Sequence, residues 1–339
     1  MIRLPSSLDP KQAILLSRPS DIQYLSGFRH NFIQERLALL YLSHQANTLL
    51  LQHFLSPPKN FSHTIYFGTR PKQIADFISQ QKIEELFVDA DNLTLAEFQA
   101  LQGLTNLKIS NLDREFLDQQ RLIKKDYEKS AIRQAVRITK RAIAATIANL
   151  KIGQSELQIK QTLEAYFRSQ GAEMAFDSII AFDANSALPH HQPGSKRLRD
   201  NSVVLIDCGA KYKGYCGDVT RTVFFKSEPK SPATKKEKLF KHVLKIVKKA
   251  HQNARTLLEN DQIKVKDLDL ACRDYITQQG FGANFIHTTG HGLGLDIHEP
   301  PSIYQNNEQI LQKNMVITIE PGIYLEGKFG VRWEDTVIV

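Results

Sequence analysis

Residues 203–225 read VVLIDCGAKYKGYCGDVTRTVFF, an apolar run and its return with an aspartate in each. Val203 to Ile206 is a continuous apolar run, the pattern of a strand buried on both faces, yet it leads straight into Asp207. An isolated buried carboxylate is costly, so Asp207 needs a partner. The chain turns through Lys211 to Gly214 and returns as Tyr215 to Phe225. A turn centred between Tyr212 and Lys213 would place Asp207 directly opposite Asp218, where Cβ atoms on one face lie about 4.5–5.5 Å apart. Two facing aspartates repel unless a cation lies between them.

The same pattern recurs near the C-terminus. Met315 to Ile319 runs into Glu320, Pro321 and Gly322 break the strand, and residues 330–339 return. A turn centred on Gly327 sets Glu320 opposite Glu334, with Arg332 on the face of Glu334 and Trp333 on the other. Four carboxylates in two facing pairs call for more than one cation, and two-metal sites hold their ions roughly 3.5–4 Å apart. Thr289-Gly290-His291-Gly292-Leu293-Gly294 supplies a nitrogen ligand, His291, framed by glycines that let backbone approach closely. His287 and His298 flank it. Taken singly, a strand-end Asp is more often a turn cap and a glycine-flanked His more often structural. Two acidic hairpins together with such a His point to metal.

With these residues in place, the chain resembles the metallopeptidase family of methionine aminopeptidase, prolidase and aminopeptidase P. The matching stretches are FDSIIAFDANSALPH (176–190), VLIDCGAKYKGYCGDVTRT (204–222), GHGLGLDIHEP (290–300), MVITIEPGIY (315–324) and GVRWED (330–335). The resemblance implies an α/β (α+β) chain with a C-terminal pita-bread catalytic domain. Carried over residue by residue, Asp207 is a bidentate ligand of one metal, His291 a ligand of the other, and Asp218, Glu320 and Glu334 join the pair. His190, His287, His298 and Arg332 fall on positions of the proline-specific branch that orient ligands or face substrate. The stretch DIQYLSGF (21–28) resembles a signature of the smaller N-terminal creatinase/prolidase-type α/β domain, which methionine aminopeptidases lack. Creatinase itself lacks the complete ligand set.

Three positions depart from the family pattern. Asp183 stands where glycine is common and is expected to bring an extra carboxylate near the substrate side. Gly217 replaces a usual serine, and Trp333 a usual isoleucine. Relatives commonly run on past Val339, so a truncated or short variant is expected.

The activity implied is that of a metallo-exopeptidase, removing the N-terminal residue from short peptides with proline second. Bridged by two cations, a water would be acidified for attack on the scissile carbonyl. Glu320 would carry a proton to the leaving nitrogen, while His298 and His190 hold the carbonyl and developing oxyanion. An Xaa-Pro dipeptidase is the nearest alternative, and a non-catalytic binding protein on the same fold the alternative from another class. The ligand set admits Mn²⁺, Co²⁺, Zn²⁺ or Fe²⁺; the resemblance favours manganese and implies a homodimer.

Outward from the site, the first third reads as strands at Ala13–Leu16, Leu37–Leu42, Thr48–Leu51 and Glu85–Asp89, with helices at Lys72–Gln81 and Leu95–Leu101. Nothing there gathers His, Cys, Asp and Glu, so residues 1–122 read as a support domain and residues 123–339 as the catalytic one. Asp126 is a candidate N-cap for a helix ending near Leu150, and Ser155 with Gln158 forms a capping box for a second, ending near Gly171. Further helices fit Glu237–Leu258 and Lys266–Gln279. Strands are expected at Val203–Cys208, Asp218–Phe225, Met315–Glu320 and Val331–Val339.

The net charge of +8 sits largely in residues 121–141 and 230–249. Leu239, Val243, Ile246 and Val247 recur there at helical spacing among lysines, which describes a solvated helix face rather than a nucleic-acid surface. No run approaches the roughly 20 apolar residues of a spanning helix, and residues 1–10 lack a signal-peptide core, so a cytoplasmic protein without membrane or nucleic-acid partners is expected. Cys208, Cys216 and Cys272 form no CxxC motif and read as small buried hydrophobes.

Overall fold

The computed structural model describes residues 4–29, 36–58 and 64–339. It divides into two compact units, residues 1–120 and 121–339.

The first unit is a six-stranded mixed sheet in the order β4-β3-β2-β1-β5-β6, formed by β1 (Gln12–Leu16), β2 (Ala38–Ser43), β3 (Asn47–Leu51), β4 (Thr64–Phe67), β5 (Glu85–Val88) and β6 (Lys108–Asn111). Successive side chains on β1 enter opposite faces. Ala13 and Leu15 pack with Ile74 and Phe77 of α2 (Pro71–Ser79) and Leu101 of α3 (Leu95–Leu104), whereas Ile14 and Leu16 pack with Ile22 of α1 (Pro19–Ser26) and Leu117 of α4 (Glu115–Leu122). Helices on both faces leave no wet side, which is why β1 and β2 read as unbroken apolar runs. The short strands β4 and β6 gave no sequence signal because they are four-residue edges with exposed ends and only half-buried middles.

The second unit consists of two β halves, each backed by a helix pair. In the first half α5 (Asp126–Ala148) and α6 (Glu156–Ser169) pack through Ile138, Ile143, Leu163 and Phe167 against Ile180 of β8 (Ile179–Phe182) and Val204 and Ile206 of β9 (Ser202–Cys208). In the second half α7 (Lys235–Leu257) and α8 (Val265–Gln278) pack through Val243, Val247, Leu268 and Ile276 against Ile317, Ile323 and Val331. Val203 belongs to this second core while Val204 belongs to the first, so β9 is buried on both faces. Burying each Val or Ile side chain stabilises by roughly 1.5–3 kcal/mol.

A small sheet, β7 (Glu173–Met174), β10 (Ala210–Tyr212) and β11 (Tyr215–Cys216), extends the first hairpin beyond β12 (Val219–Phe225). The second half continues with β13 (Gly290–Gly292), β14 (Glu299–Ile303), β15 (Val316–Ile319), β16 (Gly322–Leu325), β17 (Phe329–Arg332) and β18 (Asp335–Ile338).

Several expectations need correction. The first hairpin turns at Lys213-Gly214, which adopt φ +51° and +86° and pair Tyr212 with Tyr215. Two left-handed residues in a two-residue loop match the twist of the strands. The register is therefore displaced by two, and Asp207 faces Thr220, not Asp218. Because the side-chain period is two, that displacement leaves both aspartates on one face. The expected strand Val331–Val339 is two strands, β17 pairing with β16 and β18 with β15. Between them the Glu334 N–H turns to Thr220 O at 3.2 Å. The N-cap of α5 is Lys125, whose N–H donates to Glu128 at 2.9 Å, and Asp126 is the first helical residue.

Asp183 does not line the cavity that holds the candidate ligands. Its φ of +49° accounts for the glycine expected there, and its carboxylate accepts Val203 N–H at 2.8 Å and Lys236 Nζ at 2.5 Å. At Gly217 a Cβ would lie 2.6 Å from Val136 N on α5, so the bare backbone lets helix and hairpin touch. Trp333 points away from the acidic face, its ring between the Arg221 guanidinium at 4.1 Å and Lys248 Nζ at 3.9 Å.

Candidate metal centre

The two β halves enclose a cavity of about 690 Å³, and Asp207, Asp218, His291, Glu320, Glu334, His190, His287, His298 and Arg332 all line it. Each arrives on a different element. Asp207 lies near the end of β9, Asp218 just before β12, His291 in the middle of β13, Glu320 just after β15 and Glu334 between β17 and β18. Glu320 and Glu334 fall within one continuous register, bracketed by Ile319 opposite Asp335 and Gly322 opposite Arg332. The Pro321 break and the strand switch at Glu334 take both residues off their ladders and free their side chains for the cavity.

His291 enters between glycines for a steric reason. A Cβ at Gly290 would lie 2.2 Å from Thr318 O, and one at Gly292 would lie 2.1 Å from Pro300 O. His291 Nδ1 lies 3.0 Å from Gly292 O, a carbonyl that only accepts, so Nδ1 carries the proton and the Nε2 lone pair faces the acids. Nε2 is 3.4 Å from Glu320 Oε1 and 3.8 Å from Asp218 Oδ2.

These groups fit a cation and fit poorly without one. Single ligand atoms of Asp218, His291 and Glu334 lie within 4.8 Å of one another. Asp207 Oδ1 and Asp218 Oδ1 are buried with no hydrogen-bond partner, although a buried carboxylate oxygen is strongly disfavoured alone. Burial, reinforced by the neighbouring carboxylates, holds Asp218 and Glu334 well above the usual carboxylate range. Burial also pushes Glu320 up to about 7, against the opposing pull of Arg332. Asp207 and Glu320 line the same cavity outside that three-residue group, and a lone-pair nitrogen among unsatisfied carboxylate oxygens is the donor set of a divalent cation.

Around them lies a shell that sequence reasoning largely missed. Arg332, 3% exposed, donates to Asp207 Oδ2, to Thr220 Oγ1 at 3.2 Å and to Tyr324 Oη at 2.7 Å. The Thr220 hydroxyl donates to Glu334 Oε2 at 2.5 Å. Thr318 Oγ1 accepts the His291 N–H at 3.0 Å, and Thr336 Oγ1 accepts the Asp218 N–H at 3.0 Å. Tyr324 Oη lies 2.9 Å from His287 Nε2. One signal was available: Thr220 and Thr318 stand two residues from Asp218 and Glu320, hence on the same faces.

The remaining histidines form one wall of the cavity. The rings of His291 and His298 meet edge to face, with centroids 4.4 Å apart. His298 is lowered by burial and by His291 and His190. The Glu299 side chain beside it is pinned by two buried cations, Arg121 Nη2 at 2.5 Å and Lys124 Nζ at 3.1 Å.

Two helix-backed β halves closing on an acidic, histidine-walled cavity define a metal-dependent hydrolase. Residues 130–339 match metallopeptidase family M24, and residues 11–123 match the creatinase/prolidase N-terminal domain. The chain belongs to metallopeptidase family M24, and its C-terminal unit is the pita-bread fold of that family. An uncharacterized peptidase of Staphylococcus aureus is 32% identical over 96% of this chain and 92% of its own length. An Xaa-Pro dipeptidase from Bacillus anthracis superposes with a TM-score of 0.85 at 29% identity, over 96% of this chain and 90% of its own. An X-Pro aminopeptidase from Thermotoga maritima does so with 0.83 at 30% identity, over 97% and 92%. Among the described residues no helix is long and apolar enough to cross a membrane.

Proposed function

We propose that the chain is an exopeptidase that removes the N-terminal residue from peptides with proline in second place. In this reading two divalent cations, manganese by family likeness, are held by Asp207, Asp218, His291, Glu320 and Glu334. The observation that carries it is the convergence of unpartnered Asp207 Oδ1 and Asp218 Oδ1 with the His291 Nε2 lone pair on one cavity. When bound, the cations supply Lewis acidity, polarising a carbonyl oxygen and acidifying water.

The chain's own residues orient and move protons. Arg332 donates to Asp207 Oδ2 and leaves Oδ1 without a partner, so Oδ1 is the oxygen more available to a cation and the bidentate role implied by the resemblance would share Oδ2 with the guanidinium. Water oxygen bonds to the scissile carbonyl carbon while Glu320 accepts its proton and delivers it to the proline nitrogen, and the C–N bond breaks. His298 and His190 stand on the cavity wall to hold the carbonyl and the oxyanion that develops from it.

Aminopeptidase is preferred over dipeptidase on charge. Among the described residues lining the cavity the one permanent cation is Arg332, already committed to Asp207, Thr220 and Tyr324. No uncommitted cation awaits the free carboxylate of an Xaa-Pro dipeptide, whereas a longer peptide carries that charge out of the cavity. The dipeptidase reading is favoured instead by the likeness to the Bacillus anthracis enzyme. Metal-loaded protein should hydrolyse Xaa-Pro-Yaa with higher kcat/KM than Xaa-Pro. The reverse order selects the dipeptidase, and cleavage of neither would remove the function.

A further inference from the structure

Asp269 and Arg273 stand one turn apart on α8, outside the cavity, and both are committed to the segment that leads into it. Arg273 Nε and Nη2 donate to Asp269 Oδ2 and Oδ1 at 2.8 and 2.9 Å, a two-pronged pair with Asp269 fully buried. The same guanidinium donates to Phe285 O at 3.1 Å and His287 O at 2.9 Å, and lies 4.4 Å over the Phe285 ring. Asp269 Oδ1 also accepts the Thr289 hydroxyl at 2.8 Å, and Thr289 O in turn accepts the Glu320 N–H at 2.8 Å. Residues 285, 287 and 289 are thus gripped from one helix, on the approach to His291.

His287 hangs in the middle of this grip. Its Nδ1 lies 2.7 Å from Thr288 O and must carry a proton, and burial, aided by Arg332, lowers the ring to about 4. Nε2 is then a lone pair, so Tyr324 donates its hydroxyl hydrogen to His287 and accepts Arg332 Nη1 on its oxygen. An apolar contact could fasten the segment without the desolvation cost of a buried ion pair. What the pair adds is direction, since a planar fork fixes the carbonyls it holds.

We propose that Asp269 and Arg273 are positioning residues for the peptidase reaction, acting through His287 to hold its ring, and the Tyr324 hydroxyl against it, in the cavity wall. The kinetic arm rests on the function proposed above. Arg273→Lys keeps the charge and removes the fork. In metal-loaded enzyme it is expected to lower kcat/KM on the order of 10²-fold, as an ångström-scale misplacement does, with metal content unchanged. In a His287→Ala background the same substitution should cost less than about 3-fold, because the residue it acts through is gone. Equal losses in both backgrounds overturn the proposal, since general weakening of the fold gives that result. Asp269→Asn, which can still accept Thr289, is the milder variant should Arg273→Lys not fold, and the same pattern is expected of it.

A second readout needs no turnover. Long-range ¹H–¹⁵N spectra of the Zn²⁺-loaded protein should show His287 as the Nδ1–H tautomer in wild type and as an averaged ring in Arg273→Lys. An unchanged tautomer overturns the proposal. A wild-type protein that binds metal but cleaves no proline peptide would remove the function alone, and the spectra would then decide this inference by themselves.

Discussion

Arg332 donates to one oxygen of Asp207 and leaves the other buried without a partner. A carboxylate held at one oxygen by a guanidinium presents its second oxygen in a fixed direction, and Asp207 lines the same cavity as Asp218, His291 and Glu334.

Substituting that guanidinium should therefore act on metal before it acts on chemistry. Arg332→Lys is expected to weaken divalent-cation binding about 10- to 100-fold, the usual loss when a group behind a ligand is removed. Calorimetric titration of the metal-free protein with Mn²⁺ checks this, and an unchanged affinity would show that Asp207 does not depend on Arg332.

Tyr324 should behave differently. Its hydroxyl is hydrogen-bonded to His287 and Arg332, neither of which is among the five candidate ligands. Tyr324→Phe deletes a hydrogen bond to a charged group, worth about 1.5–3 kcal/mol, so kcat/KM should fall roughly 10- to 100-fold while metal content stays whole. Metal analysis alongside the assay separates this from Arg332→Lys.

Glu299 makes stability depend on acid. Burial alone would raise its carboxyl, but Arg121 and Lys124 more than reverse this and hold it below the usual range. A depressed folded-state pKa means the unfolded chain binds the proton more readily. The stabilisation is then present above the ordinary glutamate value of about 4.3 and is lost as pH falls through the folded value. Glu299→Gln leaves the buried Lys124 ammonium without its carboxylate while Arg121 keeps Asp296, and should cost about 3 kcal/mol at pH 7, with the gap narrowing below about pH 4. Urea unfolding of both proteins at the two pH values measures the gap, and a constant difference would refute the assignment.

Gly217 tests the contact between hairpin and helix. Gly217→Ser puts a Cβ 2.6 Å from Val136 N, against backbone that cannot swing aside. Overpacking of this kind costs about 1–3 kcal/mol, so the urea midpoint should drop at an unchanged slope. A midpoint equal to wild type would mean the hairpin shifts freely.

Much of the architecture was legible where local patterns suffice. The run Val203–Ile206 identifies a strand buried on both faces, and β9 is shared between the two cores of the second unit. Ser155 caps α6 with its side chain on Gln158 N–H at 3.1 Å, as the capping box predicts. Gly327, at φ +69°, centres the second hairpin where the sequence places it. The first hairpin was misread by two residues because Lys213 can take a left-handed turn conformation that its identity does not announce.

By itself the sequence determined which groups could serve as ligands and on which faces of their strands they lie, because strand periodicity is a local property of the chain. Tertiary structure alone decided what stands behind those groups: Thr220 across from Asp207, Tyr324 between His287 and Arg332, and Asp269 with Arg273 reaching over from α8. Each of those partners sits on a different element from the group it supports, 8 positions away along the chain for Tyr324 and Arg332 and 37 for His287 and Tyr324. Strand register within each half and the packing of α8 bring them within hydrogen-bonding distance, and neither is a local property of the chain.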